Sequence, residues 1–493
     1  MSARTIDLNS LLRVANLLVA VGTLLAFRQA HGNPYVNEAT IAVAILLCVQ
    51  THLALVLERR RRDPFIFLLA FSMTFYYSLR ILTLTVYPYS DVFDRYPFDA
   101  RDSSYALVFI LIANIFLYGG FYLVRFQDNL QVPTAGWRAV APSRVVVLLI
   151  AAICFGYLRE GFWTEDTTPR VVGFLAVFFT PDIIVLLALA YYLVFRQSLG
   201  RNFALAIALL LVIEMAVHTL LGSRSALVGF IYSCLFVALA LWGCIELRRK
   251  YVFLGVALLP VLVALLVLSF ALSTYNRVNK ELGSVLTVGS AFSLAAEWRR
   301  QQPLAADLDV VLPRVFSRAG FFDYSAEIIA HRQQYLSVIN PVSYAKSIID
   351  NVLTPGFDVF DYPKISNALK FVYQDQGTPL KSEVGLSYLS DQLCLYGEFY
   401  ALFAYGCLPV LFLMALILKG IYVRLHSSNP FRLVAKRAVL LYIFKKIIDS
   451  YGVDWTILET LPLLTALVAY AWFFMGRRIS LPQLHSLPQL AAG

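Results

Sequence analysis

Leu268-Ser269-Phe270-Ala271-Leu272-Ser273-Thr274-Tyr275-Asn276-Arg277-Val278-Asn279-Lys280 marks the point where the chain changes character. Before it, apolar runs alternate with short connections. From Thr274 to about Asp391 the chain is polar, and then the apolar runs resume. The interval carries Arg277, Lys280, Arg299, Arg300, Arg314, Arg318, Arg332, Lys346, Lys364, Lys370 and Lys381, with Asp, Glu and many Tyr and Phe between them. A plain connection needs only a few residues, so an interval this long is either functional or disordered. Its aromatic residues can bury enough area to fold, which argues for function. The chemistry is expected here.

Working outward, 59% of the 493 residues are hydrophobic, against roughly 45–50% in soluble domains. Only a bilayer can solvate that much apolar surface, and each crossing takes about 20 apolar residues. The apolar runs lie at about 11–27, 39–57, 64–87, 105–124, 144–158, 171–195, 202–221, 225–245 and 252–272, then at 392–418, 438–453 and 457–475. The expected fold is an all-α polytopic membrane protein of about twelve transmembrane helices. One large, partly helical extracytoplasmic loop would separate the ninth from the tenth. The divisions are 1–273, 274–391, 392–478 and a tail at 479–493 with the near-repeat Ser480-Leu481-Pro482-Gln483-Leu484 and Ser486-Leu487-Pro488-Gln489-Leu490.

The formal charge of +10 is distributed as a membrane protein distributes it, not as a nucleic-acid binder does. With the N-terminus inside, inner connections hold Arg59 to Arg62, then Arg125, Arg138 and Arg144, then Arg196 and Arg201, then Arg248, Arg249 and Lys250. Arg424, Arg432, Lys436 and Arg437 follow, with Arg477 and Arg478 in the tail. Outer connections are acidic at Asp91, Asp94, Asp99 and Asp102 and at Glu160, Glu165 and Asp166. Basic inner loops set the orientation, which puts both termini in the cytoplasm and the long interval outside. Arg4 and Arg13 precede the run Val14 to Phe27 as in a signal sequence, but a second span follows, so it reads as a retained anchor. Cys48, Cys154, Cys234, Cys244, Cys394 and Cys407 sit in or beside apolar runs without a CxxC spacing, which favours packing over disulfides or zinc.

Ionisable residues inside spans are costly and read first as functional. Arg80, Asp182, Glu214, His218, Lys445, Lys446 and Asp449 are such residues; the alternative is internal ion pairing, for instance Asp449 with Lys445. Gly222-Ser223-Arg224-Ser225 forms a tight outer turn before an inward-running helix. The positive end of that helix, its open N–H groups and Arg224 make an anion site at headgroup depth. An ordinary interfacial anchor would also use an arginine there. Arg277, with Arg314 and Arg318 four residues apart after Pro313, could supply a second cluster for a diphosphate, or a solvated face. Glu398, early in the tenth span, is either a helix-end charge or a general base. Glu327 and His331 repeat the four-residue spacing, and His331 reads as solvated. No metal constellation, phosphate loop, dinucleotide fingerprint or nucleophile elbow occurs in the chain.

The pattern resembles the Wzy-type polymerases of O-antigen and exopolysaccharide repeat units. The resemblance rests on Gly222-Ser223-Arg224-Ser225-Ala226-Leu227, on Arg314-Val315-Phe316-Ser317-Arg318 with Asp323 and Asn351-Val352-Leu353-Thr354-Pro355-Gly356, and on Glu398-Phe399-Tyr400-Ala401-Leu402-Phe403-Ala404-Tyr405-Gly406. Tyr405 stands where phenylalanine is more usual in the family, and Pro409 soon follows. The resemblance implies a GT-C-like architecture and metal-independent glycosyl transfer without a cofactor, at the outer face of the bacterial inner membrane. A glycan on undecaprenyl diphosphate would be donor and a second lipid-linked repeat unit acceptor, with a flippase and a chain-length regulator as possible partners. Arg224, Arg318 and Glu398 would be catalytic; Arg80, Arg277, Arg314 and His218 would bind substrate. The runner-up is an O-antigen ligase-type transferase, although His331-Arg332-Gln333-Gln334 matches the ligase histidine motif poorly. A lipid-oligosaccharide flippase or transporter is the alternative from another class; no internal repeat supports it.

Overall fold

The structure is a computed structural model. It describes residues 5–58, 63–88, 98–125, 132, 137–162, 181–221, 226–243, 245–248, 252–255, 257–258, 321–353, 359–365 and 393–449. It also describes 476–478 and the single positions 276, 287, 289, 290, 293, 296, 297, 300, 368, 456, 460, 467, 470, 473 and 474. These residues are mostly helical, and six helices are long and apolar enough to cross a membrane: Leu8–Ala30, Glu38–Glu58, Pro64–Val86, Ala100–Leu123, Arg201–Leu220 and Leu395–Arg424. Pro142–Leu158, Ile183–Phe195 and Val228–Trp242 are shorter apolar helices. An α-helical membrane protein is therefore what the chain builds. Of the expected spans, 252–272 and 457–475 lie mostly outside the described residues.

After β1 (Thr5–Asp7), α1 (Leu8–Leu25) and α2 (Glu38–Glu58) pack side by side. The third span runs from α3 (Pro64–Ser72) through a π-helical segment, Met73–Ser78, into α4 (Leu79–Val86). Its start is set locally: Asp63 accepts the Phe65 N–H at 2.9 Å, and Pro64 takes a position whose N–H needs no partner. A capping box between Asp99 and Asp102 opens α5 (Ala100–Leu123). β2 (Trp137–Ala139), α6 (Pro142–Phe162), α7 (Pro181–Phe195), α8 (Arg201–Leu220), α9 (Ala226–Trp242) and β3 (Glu246–Arg248) follow. From the polar interval come α10 (Phe321–Ala330), α11 (Arg332–Tyr335) and α12 (Pro341–Ile348). The chain then makes α13 (Leu395–Phe403), α14 (Cys407–Arg424), α15 (Pro430–Asp449) and β4 (Gly476–Arg478).

Two small antiparallel ladders define one end of the bundle. β1 pairs with β3, Thr5 opposite Arg248, and β2 pairs with β4, Trp137 opposite Arg478. The Ala139 N–H donates to Ser198 Oγ at 3.3 Å, bringing in the α7–α8 connection. Segments assigned to one side by their arginines and lysines thus meet at a common basic end. Asp63 and Lys419, both fully buried, form an ion pair there between α3 and α14, and the ammonium also donates to the Phe121 carbonyl at 2.5 Å. At the opposite end Asn33 Nδ2 donates to the Leu84 carbonyl at 3.0 Å, and Thr40 Oγ1 to that of Ala100 at 3.1 Å.

Three boundaries differ from the sequence reading. The eleventh span, expected at 438–453, begins at Pro430, where Asn429 caps it by accepting the Phe431 N–H at 2.9 Å. Arg432, Lys436 and Arg437 had masked that start; Arg437 is in fact buried, its guanidinium 5.4 Å from the Tyr422 ring centroid. The tenth span, expected to run unbroken over 392–418, is two helices with a break at Ala404, whose φ of 48° no ordinary helix residue adopts. Finally, α10 belongs to the polar interval by sequence yet is buried at Phe321, Phe322, Asp323, Ser325, Ala326, Glu327, Ile328 and Ile329. It packs against α5, α13 and the π segment. Gly397 admits it: a Cβ there would sit 3.1 Å from Ile328 Cδ1. The rest of the folded interval has a small core of its own, with Tyr335, Val338, Ile339, Tyr344, Tyr362 and Ile365.

Candidate functional site

Among the described residues, the end opposite the ladders holds Asp323, Glu327 and Arg332 of the interval. Arg80, on α4, reaches Asp323, on α10: Nη2 lies 2.6 Å from Oδ2, and Nε lies 3.0 Å from Oδ1. Both residues are almost wholly buried, 3% and 0% exposed, so this forked pair anchors the interval to the third span. The remaining Nη1 is 3.4 Å from Thr83 Oγ1. Arg80, expected to bind substrate, is thereby committed to a loop carboxylate. One turn further along α10, Glu327 accepts a hydrogen bond from the Tyr335 hydroxyl at 2.7 Å.

Glu398 lies in the first turn of α13, 3% exposed, and accepts from the Tyr344 hydroxyl of α12. It sits at a helix N-terminus, and its carboxylate is held by a phenol at the loop end. Carbonyls at a helix end need partners from outside the helix. Beside the Ala404 N–H, which donates to the Tyr400 carbonyl, Arg332 Nε donates to the carbonyls of Tyr400 and Ala401, each at 3.1 Å. The Tyr400 and Tyr105 hydroxyls pair at 2.8 Å, joining α13 to the start of α5. Arg80, Asp323, Glu327, Arg332 and Glu398 therefore belong to one assembly of α4, α10, α11 and α13.

His218 is elsewhere. Its Nε2 lies 3.3 Å from Glu214, four residues earlier on α8, and both side chains are buried. The ring faces α6 at Gly156, where a Cβ would come within 2.6 Å of Nε2. Asn276 Nδ2 donates to the Leu220 carbonyl at 2.6 Å, so the start of the polar interval touches the end of α8. Arg224, Arg277, Arg314 and Arg318 lie outside the described residues, as do the side chains of Asp182 and Asp449. Lys445 and Lys446 stand over aromatic rings, 4.5 Å from the Tyr232 centroid and 5.3 Å from that of Tyr442. His331 links α10 to α11, its N–H donating to the Glu327 carbonyl at 2.9 Å.

Sequence reasoning missed the roles of Asp323, Arg332, Tyr335 and Tyr344. The four-residue spacing of Asp323 and Glu327 was the available signal, since it puts two carboxylates on one helix face. Nothing local in the sequence pairs Asp323 with a span more than two hundred residues earlier. Set against protein-family models, curated proteins and solved structures, the chain matches none of them.

Proposed function

We propose that the protein polymerises lipid-diphosphate-linked oligosaccharide repeat units by glycosyl transfer, as the Wzy-type polymerases do. In this reading the loop end of the bundle is the outer face of a bacterial inner membrane, and the basic end is cytoplasmic. The observation that supports it best is the sunken helix α10. Through the Arg80–Asp323 pair it draws the polar interval onto the bundle, beside the carboxylates Glu327 and Glu398 and two phenols. A site that joins sugars on lipid carriers needs such a junction of polar groups and membrane surface.

The reaction follows from the residues in their proposed roles. The acceptor hydroxyl attacks the anomeric carbon of the donor glycan and passes its proton to Glu398. A new glycosidic bond forms as the bond to the diphosphate breaks, and the lipid diphosphate leaves as an anion. Arg224 and Arg318 stabilise that anion, and Arg277 and Arg314 bind the diphosphate before the transfer. Guanidinium groups suit this because they carry several donors matched to phosphate oxygens.

Deleting the protein and resolving surface glycan on a gel tests the reading. The ladder of long chains should vanish while a single attached repeat unit remains. Loss of all attached glycan would point to a ligase or flippase, and an unchanged ladder would end the proposal. Within the same assay, Glu398→Gln should reduce polymer by roughly 10²-fold or more at normal membrane levels if the carboxylate moves a proton. Near-normal polymer would reduce Glu398 to a helix-end partner of Tyr344.

A further inference from the structure

One helix of the polar interval has the polarity of its two faces reversed. α12 turns Ser343, Tyr344 and Ser347 inward, and Asp350 follows on the same side in the π-helical segment Ile349–Leu353; all four are buried. On the opposite side Val342, Lys346, Ile349 and Leu353 recur at helical spacing. Val342 and Leu353 are 63% and 65% exposed, and Ala345 beside them is exposed as well. The inner face is bonded throughout: Asn340 accepts the Ser343 N–H at 2.9 Å, and the Tyr344 hydroxyl donates to Glu398. Asp350 accepts the N–H groups of Phe360 at 3.1 Å and Tyr362 at 2.8 Å. That clamp lays a second segment along α12 and leaves Val359 and Phe360, 61% and 44% exposed, next to the outer stripe. The half-buried Lys346 joins the two, its ammonium 5.9 Å from the Phe360 ring centroid.

A helix folded in water buries its apolar stripe and shows its polar one. Here the order is inverted, and four large apolar side chains share one exposed area, as at membrane and partner surfaces. The place of α12 decides between these. Tyr344 ties it to the first turn of α13, where the crossing Leu395–Arg424 begins, so the stripe stands beside the edge of a leaflet. An anionic phospholipid matches both halves of the surface, with acyl chains for the apolar side chains and a phosphate for the lysine. The lysine stem lies along hydrocarbon while its ammonium reaches the headgroups. We infer that α12 and the segment at Val359 and Phe360 dock into the adjoining leaflet as an interfacial element. Val342, Leu353, Val359 and Phe360 enter among the acyl chains, and Lys346 meets the phosphates. The docking is independent of what the bundle catalyses. In the polymerase reading it would hold Glu398, through Tyr344, at the depth of a lipid-linked diphosphate.

Fluorescence quenching of the full-length protein tests the docking, with one copy in each nanodisc of phosphatidylethanolamine and phosphatidylglycerol. Val359→Cys in a cysteine-free background carries an environment-sensitive label, and Gln334→Cys, exposed on α11, is the aqueous reference. Lipids brominated on their acyl chains should quench the label at Val359 several-fold more than the label at Gln334, and aqueous iodide should show the reverse order. Lys346→Glu should weaken the acyl quenching, whereas Lys346→Arg should preserve it; equal quenching in both variants overturns the headgroup contact. Iodide quenching at Val359 as strong as at Gln334 overturns the docking. Protection from both quenchers overturns it too, because the chain itself would then cover the stripe. Protection gained only when two copies share a disc would give the stripe to a second copy instead. Should Val359→Cys fail to fold, Leu353→Cys decides by the same comparison.

Discussion

Arg80→Ala should release α10 from the bundle. The substitution leaves the Asp323 carboxylate buried without its forked partner, and breaking a buried ion pair from one side costs about 3–5 kcal/mol. That cost falls on the docking of the helix, because the pair joins α4 to α10 across the interval. Ala326, fully buried on α10, offers a reporter. A cysteine placed there in a cysteine-free background should resist a membrane-impermeant thiol reagent in the parent and react readily in Arg80→Ala. Replacing both partners with apolar residues, Arg80→Met with Asp323→Leu, removes the stranded charge and should restore most of the protection. Equal reactivity with and without Arg80 would show that other contacts hold the helix, and the anchor role would be lost.

Arg224→Ala should abolish polymer at normal membrane levels. The argument is chemical: the diphosphate leaving group gains negative charge as the glycosidic bond breaks, so a multidentate cation matters most in the transition state. Lysine keeps the charge and loses the planar fork, so Arg224→Lys should leave a small residue of activity. A headgroup anchor would behave otherwise, because lysine snorkels as well as arginine. Full polymer in Arg224→Lys, or a loss in Arg224→Ala explained by missing protein, would favour the anchor.

The two substitutions separate the site into parts with different legibility. Arg224 can be argued from a turn and the polarity of one helix, both local. The Arg80–Asp323 pair cannot, because its partners are 243 positions apart in the chain. Arg80 was visible as a costly charge in an apolar run, but whether it met a substrate or a protein carboxylate depended on where the polar interval folded. The broken tenth helix was hidden for a related reason. Leu395 to Arg424 is apolar enough to read as one crossing, and the carbonyls at the edge of the break accept from Arg332, a residue of the polar interval more than sixty positions earlier.

Composition and apolar periodicity determined that the chain is a helical membrane protein, since an apolar excess of this size leaves no other solvent. The spacing of arginines and lysines groups the basic connections at one end, and the β1–β3 and β2–β4 ladders join four of those segments in two pairs. Those properties are sums over local segments, so the order of residues suffices to read them. Only the tertiary structure decided that α10 lies within the bundle, that Glu327 and Glu398 receive phenols from Tyr335 and Tyr344, and that Lys445 faces Tyr232. Each of these is a contact between distant segments, set by how helices pack side by side, and packing of that kind leaves no period in the sequence.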